Sequence, residues 1–118
     1  MNRTVAGLCW MLQIAAAAIF LFAASKKLMA DPQMVAVFAK VGIGQWFRLL
    51  TGMLEVGGGI ALLVPRTAAF AAVLLALVMV GAVIAHLTVL GGSPALAVML
   101  LVVCAGIAWL RRAGLMPA

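Results

Sequence analysis

Residues 67–90, TAAFAAVLLALVMVGAVIAHLTVL, form an unbroken apolar run whose one ionisable member is His86, near its end. About 20 such residues are enough for a helix to cross the hydrocarbon of a bilayer, so this run spans one with a tilt. Gly91-Gly92 supply the small residues that suit a helix C-terminus. On the other side Pro65, which cannot continue a helical hydrogen-bond ladder, separates this run from the one before it, Phe47–Val64, which carries Arg48 at its start and Glu55 in its middle. Further along, Ser93 reads as an N-cap and Pro94 as the first helical residue of a run ending at Leu110, with Arg111 and Arg112 as anchors behind it. Towards the N-terminus, Val5–Ala24 is apolar throughout except for Gln13. Its length rules out a cleaved leader.

Four apolar runs predict four spans, at about 5–24, 47–64, 67–90 and 94–110. The short connections at Pro65-Arg66 and Gly91–Ser93 make the last three antiparallel neighbours. The long connection from Ser25 to Trp46 has structure of its own. Asp31-Pro32 reads as N-cap and first turn, and Met34, Val37, Phe38 and Val41 recur at helical spacing before Gly42 and Gly44 break the pattern. The expectation is an interfacial helix over Pro32–Val41, anchored by Trp46, acting either as a plain amphipathic strap or as a lid. The fold expected is therefore all-α: one transmembrane domain over 1–118, an antiparallel four-helix bundle with a short interfacial helix between spans one and two.

Composition agrees. Of 118 residues 69% are apolar and 8% charged, too little polar surface to coat a water-soluble globule. The net charge of +6 does not signify nucleic acid, because the cations form no solvated stripe. Arg3, Arg66, Arg111 and Arg112 stand at the ends of apolar runs, and Lys26, Lys27, Lys40 and Arg48 fall in or beside the long connection, as lipid-headgroup anchors do. That distribution divides the cations equally between the two sides. Counting Lys27 with the helices rather than with the loop favours cytoplasmic termini.

Glu55 is the most informative residue. A carboxylate at mid-membrane costs on the order of 3 kcal/mol even on lenient insertion scales, so it should face the helices with a partner or a proton. Arg48, Gly52, Glu55 and Gly59 recur on one helix face, where glycines admit a neighbouring helix closely. Gln13, Phe20 and Lys27, seven residues apart, share a face of span one, and the long Lys27 stem can reach inward from the interface. His86 enters the same half of the membrane. The expectation is a pocket of Lys27, Glu55 and His86, with Gln13 and Arg48, that handles a polar headgroup or a proton; the alternative is a buried Lys–Glu pair that only pins the helices in register. Gly52, Gly59 and Gly81 are expected to pack helices. No metal is expected, since His86 has no second ligand at suitable spacing. Cys9 and Cys104 lack any activating motif and read as packing residues.

At Ala24-Ser25-Lys26-Lys27-Leu28, Gly42-Ile43-Gly44-Gln45-Trp46-Phe47, Gly52-Met53-Leu54-Glu55-Val56-Gly57-Gly58 and Met79 through His86-Leu87, the chain resembles the DoxX-like family of small bacterial four-span membrane proteins. The resemblance implies that Lys27, Glu55 and His86 occupy motif positions. It also implies an inner-membrane location and an association with quinone-dependent or stress-response redox systems. Three functions remain open on the sequence: a quinone- or lipid-associated subunit of a membrane oxidoreductase, a non-catalytic scaffold that docks a redox partner protein, and a small proton-coupled transporter, which at this size needs a homo-oligomer. Membrane lipids are partners under all three.

Overall fold

The computed structural model describes residues 2–115, which are all-α. Five α-helices follow in order: α1 (Arg3–Leu28), α2 (Pro32–Val41), α3 (Gln45–Leu62), α4 (Ala68–Ala85) and α5 (Ala95–Leu110). A π-helical turn, His86–Leu90, extends α4, and a 3-10 turn, Arg112–Leu115, follows α5. Of these, Arg3–Leu28 and Ala68–Leu90 are long and apolar enough to cross a membrane. Helix α5 is apolar but has 16 residues, about 24 Å of helix.

Local chemistry sets the boundaries. The Asn2 side chain accepts from Val5 N at 2.8 Å and starts α1 ahead of the apolar run. Lys26 and Lys27 continue it for a turn past Ala24, because a lysine is a good helix former and favourable near a helix C-terminus. Asp31 caps α2 by accepting from Gln33 N at 2.9 Å. Gly42, at φ +82°, ends α2 in the left-handed conformation that a side chain resists. Gly44, at φ +125°, leaves room for the Trp46 indole, which a Cβ there would meet at 2.8 Å. Helix α5 begins one residue later than the capping pattern suggested, at Ala95, but Ser93 Oγ still accepts from Ala95 N, at 3.1 Å.

Helix α1 packs mainly on α3, and α4 on α5, with α3 and α4 joining the two pairs. Named contacts give the directions. Gly52 of α3 meets Leu28 and Lys27 of α1, Gly59 meets Leu21 and Ala17, and Leu62 O accepts from Gln13, so α1 descends as α3 rises. At the far end of α5, Gly114 lies against Arg66 and Ala69. Helix α2 crosses the opposite end, packed on α3 and on the π-helical turn, with Phe38 edge-on to Phe47 at 6.0 Å.

The interior is built largely of small residues: Ala16, Ala17 and Ala24 of α1, Gly52, Gly58 and Gly59 of α3, Ala68, Ala69, Ala71 and Ala72 of α4 and Ala97 of α5 are buried. Large apolar side chains such as Met11, Phe22, Met53, Leu77, Ile84 and Val102 face outward. In water such a surface would aggregate. In lipid there is no hydrophobic gain from burying a leucine, and close backbone approach between small residues holds helices together instead. Gly81 is a correction to the sequence expectation. It is exposed, and a Cβ there would meet nothing. A glycine in an apolar run does not announce which face of the helix it occupies.

Candidate polar site within the helices

Helix α3 carries Glu55 on its glycine face, and Gly52 and Gly59, one turn on either side, let α1 approach. Lys27 then extends inward from the end of α1. Its Nζ lies 2.7 Å from Glu55 Oε1, with the Lys27 side chain 13% and the Glu55 side chain 2% exposed. The contact is an ion pair at hydrogen-bonding distance, and Lys27 is the one cation paired with this carboxylate among the described residues. A carboxylate can accept about four hydrogen bonds, and this one keeps acceptor capacity unused.

Arg48, one helical turn before Gly52, is 8% exposed. Its Nη1 donates to the Lys27 carbonyl, satisfying the C-terminal end of α1, and its Nε donates to Gln45 Oε1 at 2.9 Å. Gln45 Nε2 in turn donates to the Val35 carbonyl of α2 at 3.0 Å. A continuous series of polar contacts therefore runs from α2 through Gln45 and Arg48 to the backbone of Lys27, whose side chain meets Glu55. The site holds two cations and one carboxylate. Gln45 is not among the residues expected from the sequence, where its i, i+3 spacing to Arg48 is the one available signal.

The other expected members stand apart. His86 opens the π-helical turn, its Nδ1 2.8 Å from the Ala82 carbonyl. A carbonyl can only accept, so Nδ1 is the donor in this contact. Among the described residues His86 has no hydrogen bond or ion pair to Lys27 or Glu55. The turn results from a shifted ladder in which Gly91 N donates to His86 O at 3.1 Å, a widening often found at functional positions.

Gln13 belongs to a different cluster. It shares a helix face with Lys27, but fourteen residues separate them, about 21 Å of helix. Fully buried, it donates from Nε2 to Leu62 O at 2.6 Å and accepts at Oε1 from Arg111 Nε at 3.0 Å and from Cys9 Sγ at 3.3 Å. The Arg111 guanidinium also lies 5.5 Å from the Trp10 ring. This cluster ties α1, α3 and the end of α5 together. The substitution Gln13→Leu leaves the Leu62 carbonyl and Arg111 without their partner, and a loss of about 1–3 kcal/mol is expected, read as a lowered unfolding midpoint in detergent. Cys104, also free and buried, packs in the apolar core with Leu100 and Ile107.

The model of the DoxX-like family matches residues 11–110, a range that includes both polar clusters except Cys9, Trp10 and Arg111. No curated protein and no solved structure matches the chain.

Proposed function

From the premise that the chain belongs to the DoxX-like family and is a membrane protein of that family, we propose that α1, α3, α4 and α5 all cross the bacterial inner membrane and that Lys27, Glu55 and Arg48 hold the polar head of a lipid-soluble molecule of the quinone class. The chain then acts as a ligand-holding subunit of a membrane redox system, the electrons passing through a partner protein. One observation carries this reading: a carboxylate 2% exposed and paired to a single lysine, which cannot by itself fill the acceptor positions of both oxygens. Intramembrane ionisable groups are costly and mark ligand or proton sites by default. A quinone head offers carbonyl oxygens to Lys27 and, when reduced, hydroxyls to Glu55. The shorter spans α3 and α5 reach across by thinning the bilayer locally and by their flanking Trp46, Trp109 and Arg112. Arg112 stacks on Trp109 at 4.2 Å.

With Lys27, Arg48 and, at the other side, Arg111 turned inward, the loop side keeps Lys26 and Lys40, against Arg3, Arg66 and Arg112 on the side of the termini. By the positive-inside rule this excess supports cytoplasmic termini.

The test is extraction and mass spectrometry of the protein purified without detergent, as wild type and as the double substitution K27M/E55Q, which removes both charges together. A quinone-class molecule is expected with the wild type and not with the folded double variant. Equal amounts with both would refute the assignment.

A further inference from the structure

A second recess lies outside the polar site, at the outer side of the end of α1. Lys26, about 100° around the helix from Lys27, points away from the helices and forms, with Phe22, Ser25, Met29 and Asp31, an open depression of about 320 Å³. Its apolar lining is Phe22, 65% exposed, and Met29, 82% exposed. Its polar groups are one ammonium, one carboxylate and the Ser25 hydroxyl, which donates to the Phe22 carbonyl at 2.7 Å. Lys26 Nζ lies 5.2 Å from the Phe22 ring centre and 3.4 Å from Asp31 Oδ2, looser than the roughly 2.7–2.9 Å of a strong charge-assisted bond. Both therefore retain hydrogen-bonding capacity: the ammonium has three donors, and Asp31 stays ionised, the Gln33 backbone N–H beside it holding its carboxyl below the usual range.

Taking α1 as a span, Phe22 lies within two turns of its end, at the boundary between acyl chains and headgroups. We propose that this recess binds the phosphoethanolamine head of a zwitterionic phospholipid, its phosphate on Lys26, its ammonium on Asp31 and its first acyl carbons on Phe22 and Met29. The pairing of opposite charges selects the class. An anionic lipid would satisfy Lys26 but face the Asp31 carboxylate. A choline head, with no N–H, cannot donate to Asp31 and would need an aromatic cage, whereas the recess has one ring. The recess is separate from the Lys27–Glu55 site, so its occupancy does not depend on the quinone assignment.

The experiment reconstitutes the full chain in bilayer discs of equal parts phosphatidylethanolamine, phosphatidylcholine and phosphatidylglycerol, and identifies retained lipid by native mass spectrometry. Phosphatidylethanolamine should be enriched about fivefold over phosphatidylcholine, the value of one added hydrogen bond of about 1 kcal/mol. The substitution D31N, which keeps the helix cap because asparagine caps as well as aspartate, should abolish that preference, and F22A should lower total retention. Soluble glycerophosphoethanolamine should not compete. Unselective retention, preference for phosphatidylglycerol, an unchanged preference in D31N, or competition by the soluble head would each overturn the proposal.

Discussion

Replacing Lys27 with methionine should destabilise the protein by about 3–5 kcal/mol, because it leaves the Glu55 charge buried without its partner. Methionine resembles the lysine stem in volume, so packing against Gly52 is little changed and the loss reports charge. Adding E55Q to K27M removes the stranded carboxylate, and most of the stability should return. The measurement is unfolding in mixed micelles of increasing denaturing detergent, as a double-mutant cycle. A K27M variant within about 1 kcal/mol of wild type would show that Glu55 takes up a proton readily or reaches water, against the 2% exposure of its side chain. The cycle also separates the two roles of the pair. A purely structural pair predicts a double variant that differs from wild type in stability alone, whereas a ligand site predicts loss of bound quinone from a stable double variant.

The second large effect is steric. A Cβ on Gly58 would lie 2.7 Å from Leu75 Cδ2 and 2.8 Å from its Cγ. Leu75 is fully buried, so its whole side chain has nowhere to move. Gly58→Val should therefore cost about 1–3 kcal/mol or more by overpacking and drive α3 away from α4. Gly81→Val on α4 is the control, since Gly81 faces open space. It should unfold within about 0.5 kcal/mol of wild type, as an ordinary surface substitution does. Both are read from thermal unfolding in lipid discs. Equal losses from the two would mean that α3 and α4 are not packed through Gly58.

Much of the candidate site was legible without coordinates. Glu55 drew attention because a carboxylate in an apolar run has a known cost, and Lys27 because its seven-residue register with Phe20 puts it on a face with other core positions. The two do meet. Gln13, in the same register, joins the expected pocket by face alone, but it pairs with Leu62 and Arg111 instead, because angular periodicity says which face a residue occupies and nothing about depth. His86 was assigned by depth alone, and a shared level does not bring a side chain into contact. Arg111 was read as an anchor at the end of a span; its bond to Gln13 joins residues 98 positions apart, beyond the reach of any local pattern.

The chain by itself determined that this is an all-α membrane protein of the DoxX-like family, since apolar length, proline and glycine punctuation and cap residues act over a few positions and leave their mark in the sequence. It also determined that one carboxylate would need a buried partner. Only the tertiary structure decided which glycines pack, that Gln45 and Arg48 connect α2 to the Lys27–Glu55 pair, and that the polar residues divide into two clusters in different halves of α1. Those outcomes depend on the rotation and axial register of one helix against another. In lipid that register is set by close contact between small residues, such as Gly52 on Leu28 and Gly59 on Leu21, and contact of that kind has no local signature.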